Sequence, residues 1–239
     1  MSTINFDNCF MATIAYENHE WLPMLVELFP DLLIYDASVN NKYTGIGNII
    51  QIPNEGFTAN WNLIFEEFLK SGKEYIWMTN NDITIEVSTV KRMLEVIANR
   101  PKAAGVVASY NSHHQPLRCQ DRGIRPVPFM EQTSPVYRRQ AIIDLKAKHG
   151  YVLYPPIKMG WGVDTISSYQ LRELGYELLV IDDVEFKHHI AENAKATFGS
   201  KKEYSKSASA DRGRRVFECL GSGYKKKLLE GLEEYKYKI

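Results

Sequence analysis

The stretch YIWMTNNDITIE, residues 75 to 86, carries an apolar strand pattern into Asn80, Asn81 and Asp82 and then resumes its apolar alternation. One hard carboxylate flanked by amide oxygens is a donor set for Mg2+ or Mn2+ whose other positions are filled by diphosphate oxygens. A metal held there would offset charge building on a leaving diphosphate. Asn and Asp also favour a turn after a strand, so the cluster read alone allows either. Four further features point the same way. Asp36 closes the apolar run LLIYDAS, where a carboxylate can accept hydrogen bonds from a base or ribose. NEGFTANWN sets Gly56 before a helix bearing Asn60 and Asn62. GWGVD places Asp164 after a loop containing Trp161 and Gly162, at a helix start, as a general base or an N-cap. FKHH ends a strand with His188 and His189, either of which is a candidate metal ligand.

Positioning these groups takes a scaffold of alternating strands and helices. CFMATIAY, DLLIYDAS, GNIIQIP, EYIWMTN and AAGVVASY read as short strands. EWLPMLVELF, FTANWNLIFEEFLKSG and VSTVKRMLEVIANR repeat apolar residues at helical spacing, with Gly72 as a C-cap and Pro101 as a stop. This alternation implies an α/β fold with a mostly parallel sheet covered on both faces. In such sheets ligands bind outside the carboxyl ends of the strands, where Tyr16, Asp36 and the Asn80–Asp82 cluster all fall. NSHHQPLRCQDRGIRPVPFMEQ has no period and reads as a long connection over the site. SPVYRRQAIIDLKAKHG reads as a strand entering a helix. A Gly- and Trp-bearing loop, the helix TISSYQLRELG and the strand YELLVIDDVEFKHH follow. The tail reads as two helices separated by GSG.

Bulk properties bound the class. The 239 residues have 44% apolar and 24% charged composition, enough for one substantial α/β domain, or for one domain with an appended subdomain. Formal net charge is zero, so the whole chain has no strong pull toward nucleic acid. From Lys187 onward there are 13 Lys/Arg against 7 Asp/Glu, leaving 16 against 22 of the 29 of each before it. A basic segment therefore follows an acidic body. Three scattered cysteines suggest reduced thiols and a cytoplasmic setting. The N-terminus lacks the pattern of a signal peptide, and no apolar run is long enough to be a transmembrane segment.

The order of these features resembles the glycosyltransferase family 2-like enzymes, which have the GT-A fold, over roughly residues 8 to 190. MATIAYEN is similar to the family's opening strand and loop, and LLIYDAS to the strand bearing its nucleotide-binding aspartate, here Asp36. NEGFTANWN, WMTNNDITIE with its DxD-type motif, GWGVDTISSYQLRELGY and VEFKHH follow in the family's order. Two departures stand out: Asn80 replaces the first DxD carboxylate, and Val163-Asp164 replaces a Glu-Asp pair. The Gln-x-x-Arg-Trp motif of processive synthases is missing from YQLRE, which favours transfer of a single sugar.

The resemblance implies a Rossmann-like GT-A domain over 1–190 and a basic helical C-terminal extension over 191–239. It implies an inverting, hexosyltransferase-type reaction from a nucleotide diphosphate sugar to the hydroxyl of a glycan or other acceptor. A modified nucleobase in DNA is an open but unfavoured acceptor. In that scheme Asp164 is the catalytic base, and Asp82 with His188 or His189 holds Mn2+ or Mg2+. Thr13, Ala15, Tyr16, Glu17, Asp36, Gly56, Asn60, Asn80, Asn81 and Asp82 line the nucleotide-sugar site, and Trp161 and Gly162 face the acceptor. In the tail, Arg212, Arg214 or Arg215 would cap the donor diphosphate, or the Lys/Arg run would meet a polyanion such as DNA. Two rivals are a non-catalytic nucleotide-sugar binding module and a nucleotidyltransferase. The second calls for a Gly-rich loop after the first strand, where this chain reads IAYENHEW with no glycine.

Overall fold

The computed structural model of the chain describes residues 6–16, 20–38, 43, 45–189 and 200–232. The first half is built from β1 (Cys9–Ala15), α1 (Leu22–Leu28), β2 (Leu33–Asp36), β3 (Asn48–Gln51), α2 (Phe57–Ser71), β4 (Tyr75–Asn80), β5 (Ile83–Thr84) and α3 (Val87–Ala98). It continues through β6 (Ala103–Tyr110), β7 (Ile124–Pro126), β8 (Val136–Arg138), α4 (Arg139–His149), α5 (Val163–Glu173) and β9 (Glu177–His188). The tail forms α6 (Lys201–Leu220) and α7 (Tyr224–Leu229) on either side of Gly221-Ser222-Gly223.

The strands join one nine-stranded sheet in the order β3-β2-β1-β4-β8-β6-β9-β5, with β7 also on β9. β1, β2, β3, β4, β6 and β9 all run the same way; β5, β7 and β8 are short and antiparallel. The sheet is thus mostly parallel, with helices between its main strands. All residues of β1 and β6 are buried, as parallel strands covered on both faces require. Trp61, Phe65 and Phe68 on one stripe of α2 meet Trp77, Phe29 and Phe10 in the main core. Gly72 closes α2 at φ 75° as its C-cap.

From β1 the chain steps outward to β2 and β3, then returns to place β4 on the other side of β1. The crevice outside the C-terminal ends of β1 and β4 is therefore the switch point at which such sheets bind ligands. Pairing fixes what lies there: Ile14 is opposite Asn80, and Ala15 opposite Asp36.

The middle connection is more ordered than its sequence suggests. It contains a 3-10 turn (Gln115–Leu117) and β7, and it is pinned by a buried ion pair. Arg125 donates from Nε to Asp182 Oδ2 at 2.9 Å and from Nη2 to Oδ1 at 3.0 Å, and its Nη1 donates to the Pro116 carbonyl at 2.6 Å. Asp182 Oδ2 also accepts from the backbone N–H of Arg122 at 3.1 Å and of Gln120 at 3.2 Å. Burial alone would raise the Asp182 pKa, but these donors outweigh it and hold it below the ordinary value. Two of the donors come from the connection's backbone, so the ion pair and the path of the loop are one feature.

The tail is docked on the body. Arg172 of α5 donates to the carbonyls of Leu228 and, at 2.7 Å, Glu230, while Lys227 lies 3.3 Å from Glu173. Among the described residues no helix is long and apolar enough to cross a membrane.

Candidate active site

The nucleotide side is laid out by β1, β2 and α2. Asp36 is fully buried at the end of β2. Its Oδ1 accepts from the Ser38 backbone N–H at 2.8 Å and its Oδ2 from Gln51 Nε2 at 2.9 Å. The turn interaction and a fixed carboxylate at the strand end therefore coexist. Thr13 is buried in β1, and its hydroxyl has no hydrogen-bond partner among the described residues. Ala15 is buried, and Tyr16 is partly exposed, its carbonyl accepting from the Tyr43 hydroxyl. Glu17 lies outside the described residues.

Gly56 at φ 95° caps α2 beneath the loop that leads to Asp164. A Cβ there would sit 3.0 Å from the Lys158 carbonyl oxygen, which already accepts from the Phe57 N–H at 2.8 Å. Asn62 clamps the same loop, donating to the Leu153 carbonyl at 2.7 Å and accepting from the Leu153 N–H at 2.8 Å. Asn60 accepts from the Glu55 N–H at 3.3 Å, and its buried Nδ2 has no partner among the described residues.

β4 delivers the Asn80–Asp82 cluster. Asn80 is half-buried; Asn81 and Asp82 are buried. β5 pairs antiparallel with the end of β9, and His189 N–H donates to the Asp82 carbonyl at 2.8 Å. That pairing brings His188 Nε2 to 3.3 Å from Asp82 Oδ1. The two atoms are close but not aligned as a hydrogen bond, so Oδ1 is a buried carboxylate oxygen with no aligned donor among the described residues. An orphaned carboxylate oxygen beside an imidazole nitrogen fits a divalent cation whose remaining ligands are diphosphate or water. The His189 ring points elsewhere: it stacks on Trp21 at 4.1 Å and its Nε2 lies 2.8 Å from the Thr84 hydroxyl. His188 is thus the histidine set beside Asp82. Among the described residues no group of three or more His, Cys, Asp or Glu side chains is arranged around a metal position.

Asp164 stands in the first turn of α5. Its Oδ1 accepts from the Gln132 backbone N–H at 2.9 Å. Burial, then the negative charge of Glu131, push its pKa up to about 7, against the pull of the Gln132 N–H and Arg212. That is the range in which a carboxylate works as a base near neutral pH. Gly162 adopts φ 91° at the N-cap of α5, a conformation that favours glycine. A Cβ there would come within 2.7 Å of Val216 Cγ2 and 3.0 Å of Arg212 Cγ, so Gly162 lies under α6. Trp161, partly exposed, precedes it. Arg212 belongs with Asp164, whereas Arg215 pairs with Glu218 of its own helix at 3.1 Å.

The end of the connection that reads as lying over the site joins these parts, through residues that no motif singles out. Thr133 accepts at its carbonyl from the Asn80 N–H at 2.8 Å, Gln132 holds Asp164, and the Ser134 hydroxyl accepts from Trp77 Nε1 at 2.9 Å. Glu131 joins them: its Oε2 accepts from the Tyr110 hydroxyl and from Ser112 Oγ at 3.0 Å, and its Oε1 lies 3.3 Å from His114 Nε2. MEQT has no period or motif, and the partners named here lie 17 to 53 positions away.

No family model and no curated protein matches the sequence. Solved structures do. The structure of GalNAc-T7 with UDP, GalNAc and Mn2+ superposes with a TM-score of 0.56 at 12% identity, covering 94% of this chain and 55% of that one. S. aureus TarS 1-349 gives 0.58 at 12% identity, over 94% of this chain and 70% of that one. A longer TarS structure gives 0.59 at 12% identity, with 94% and 42% covered. The chain thus spans about half the length of the GalNAc-T7 structure. Its fold is of the GT-A type, as the sequence resemblance leads one to expect.

Proposed function

We propose that the chain is an inverting glycosyltransferase that moves one sugar from a nucleotide diphosphate sugar to an acceptor hydroxyl. The observation that carries this reading is the tie through residues 131–133. It sets a carboxylate of raised basicity, Asp164, beside a strand-end cluster fit for a metal and a diphosphate. Asp36, Thr13 and the end of β1 hold the nucleotide. Asp82 and His188 hold Mn2+ or Mg2+, which when bound offsets negative charge on the diphosphate. Asp164 takes the proton of the acceptor hydroxyl as its oxygen bonds to the anomeric carbon. The bond from that carbon to the diphosphate oxygen breaks, and the nucleoside diphosphate leaves with the electron pair. Trp161 flanks the acceptor side, and Arg212 approaches from α6.

The UDP and Mn2+ in the GalNAc-T7 structure support the donor and metal classes by analogy of fold. The acidic body and zero net charge favour a glycan or small hydroxyl-bearing acceptor over DNA. Three free cysteines, one of them buried, suit a reducing, cytoplasmic setting.

The test is a thermal-shift screen of nucleotide diphosphates and nucleotide sugars with Mn2+, followed by donor hydrolysis and transfer assays. A ligand that binds only the folded state raises the unfolding midpoint. If no nucleotide diphosphate stabilises the protein, the reading fails. Binding without hydrolysis or transfer makes the chain a nucleotide-sugar binding module instead.

A further inference from the structure

A second carboxylate sits next to the candidate base and has no part in the reaction above. Glu131 adjoins Gln132, whose N–H holds Asp164. Its setting is built. The Ser112 hydroxyl donates to Glu131 Oε2 at 3.0 Å and accepts from the His114 N–H at 3.0 Å, so one side chain fixes both members of a Glu131–His114 pair. The Tyr110 hydroxyl, buried in β6, also donates to Oε2. The His114 ring stands edge-on to Phe129 at 5.2 Å. Glu131 Oε1 and His114 Nε2 are 3.3 Å apart, and the two side chains keep 22% and 31% of their surface exposed, so a ligand can reach them. The charges of Arg212 and Glu131 both act on His114 and on Asp164, so the pair and the candidate base share one electrostatic neighbourhood.

We propose that Glu131 and His114 form an acceptor subsite that binds a second hydroxyl of a polyol acceptor, next to the hydroxyl activated at Asp164. The chemistry selects this ligand. A carboxylate offers lone pairs and an imidazole both accepts and donates, so together they complement a group that both donates and accepts. An anionic group would meet two carboxylates, Glu131 and Asp164. An ammonium group would meet Arg212, with Arg118 also near His114. Burial pulls the His114 pKa down, toward the neutral ring. A neutral hydroxyl on the carbon beside the attacking one satisfies the pair without either conflict.

The inference rests on the proposed glycosyl transfer, and its test separates the two. Transfer from the donor found above is measured to methyl glycosides and to their monodeoxy analogues lacking the hydroxyl next to the acceptor position. The wild type is expected to prefer the parent glycoside by about 10- to 100-fold in kcat/KM, the range for a hydrogen bond to a charged group. Glu131→Gln, which keeps an oxygen for Tyr110 and Ser112, and His114→Ala should each shrink that ratio toward one. Unfolding midpoints near that of the wild type confirm that both variants are folded. A preference that survives in both variants overturns the subsite, as does equal wild-type use of parent and deoxy acceptors. If the wild type neither hydrolyses nor transfers any donor sugar, the underlying reading falls and the subsite falls with it.

Discussion

The backbone N–H of Gln132 donates to Asp164 Oδ1 at 2.9 Å, across 32 positions of sequence. The next residue, Thr133, accepts from the Asn80 N–H. Two successive residues therefore tie the candidate base to the candidate metal site. Because main-chain groups make both links, the geometry is independent of most side-chain changes nearby.

Asp164→Asn is expected to lower transfer by about 10²–10⁴-fold, the range for loss of a general base, with donor affinity nearly intact. In the wild type, kcat/KM should fall as pH drops through about 7, because the base must be ionised and its pKa is raised to that value. The same shift acts on stability. The folded state binds a proton more tightly than the unfolded state, so this group's contribution to stability is present at acid pH and is lost as pH rises toward 7. Asp164→Asn should therefore melt higher than the wild type at pH 8, with the gap closing near pH 4. Near-normal turnover, or a gap independent of pH, removes Asp164 from this role.

Asp82→Ala is expected to weaken nucleoside diphosphate binding and to abolish stimulation by Mn2+, and His188→Ala to do the same in part. The reason is the orphaned Asp82 Oδ1 facing His188 Nε2 at 3.3 Å. His189→Ala should leave the metal response alone, since that ring is held by Trp21 and Thr84. Titration calorimetry of UDP and GDP with Mn2+ and with EDTA decides it. Equal affinity in EDTA and in Mn2+ makes the cluster a turn.

The strand-end carboxylates and amides were legible because parallel strands bury continuous apolar runs, so polar residues that interrupt them mark where the strand leaves the core. Asp36, Asn80 and Asp82 were found this way. The mostly parallel sheet also followed from alternation, whereas the strand order did not. Glu131, Gln132 and His114 were hidden because their meaning lies in contacts with Tyr110, Asp164 and Ser112, which no local period encodes. β7 was hidden for the same reason: Arg125 in a Pro- and Arg-rich stretch reads as solvated until Asp182, 57 positions on, is seen beside it. Gly162 reads from sequence as an acceptor-loop residue, and the contact with α6 adds a packing requirement that only the tail's position reveals.

Asp182→Ala should destabilise the fold by about 3–5 kcal/mol, because it strands the Arg125 guanidinium and two backbone N–H groups in the interior. Replacing both partners, Arg125→Met with Asp182→Leu, should recover part of that loss. The pair's support is present above the ordinary carboxylate pKa and fades as pH falls below it, since the folded-state value is depressed. Urea unfolding at pH 7 and pH 3 measures both effects. A single variant as stable as the wild type would show that the pair does not hold the connection.

Arg212→Gln tests how the tail acts on the site. Arg212 reaches Asp164 from α6, and its positive charge favours the ionised carboxylate, opposing Glu131. Removing that charge should raise the pKa of Asp164, so the acid limb of the kcat/KM profile moves to higher pH and the rate at pH 7 falls. Glu131→Gln should move the same limb to lower pH, because the charge lost is negative. Opposite shifts from two residues on different elements would place both fields on one carboxylate. Donor affinity adds a second readout. A guanidinium closing over a diphosphate should lower the affinity when it is removed, with weak dependence on salt, whereas a solvated polyanion track gives a steep salt slope. Arg215→Gln is the control, since Arg215 pairs with Glu218 of the same helix at 3.1 Å. If Arg212→Gln and Arg215→Gln leave both the pH profile and donor affinity unchanged, α6 contributes packing on Gly162 and nothing to the chemistry.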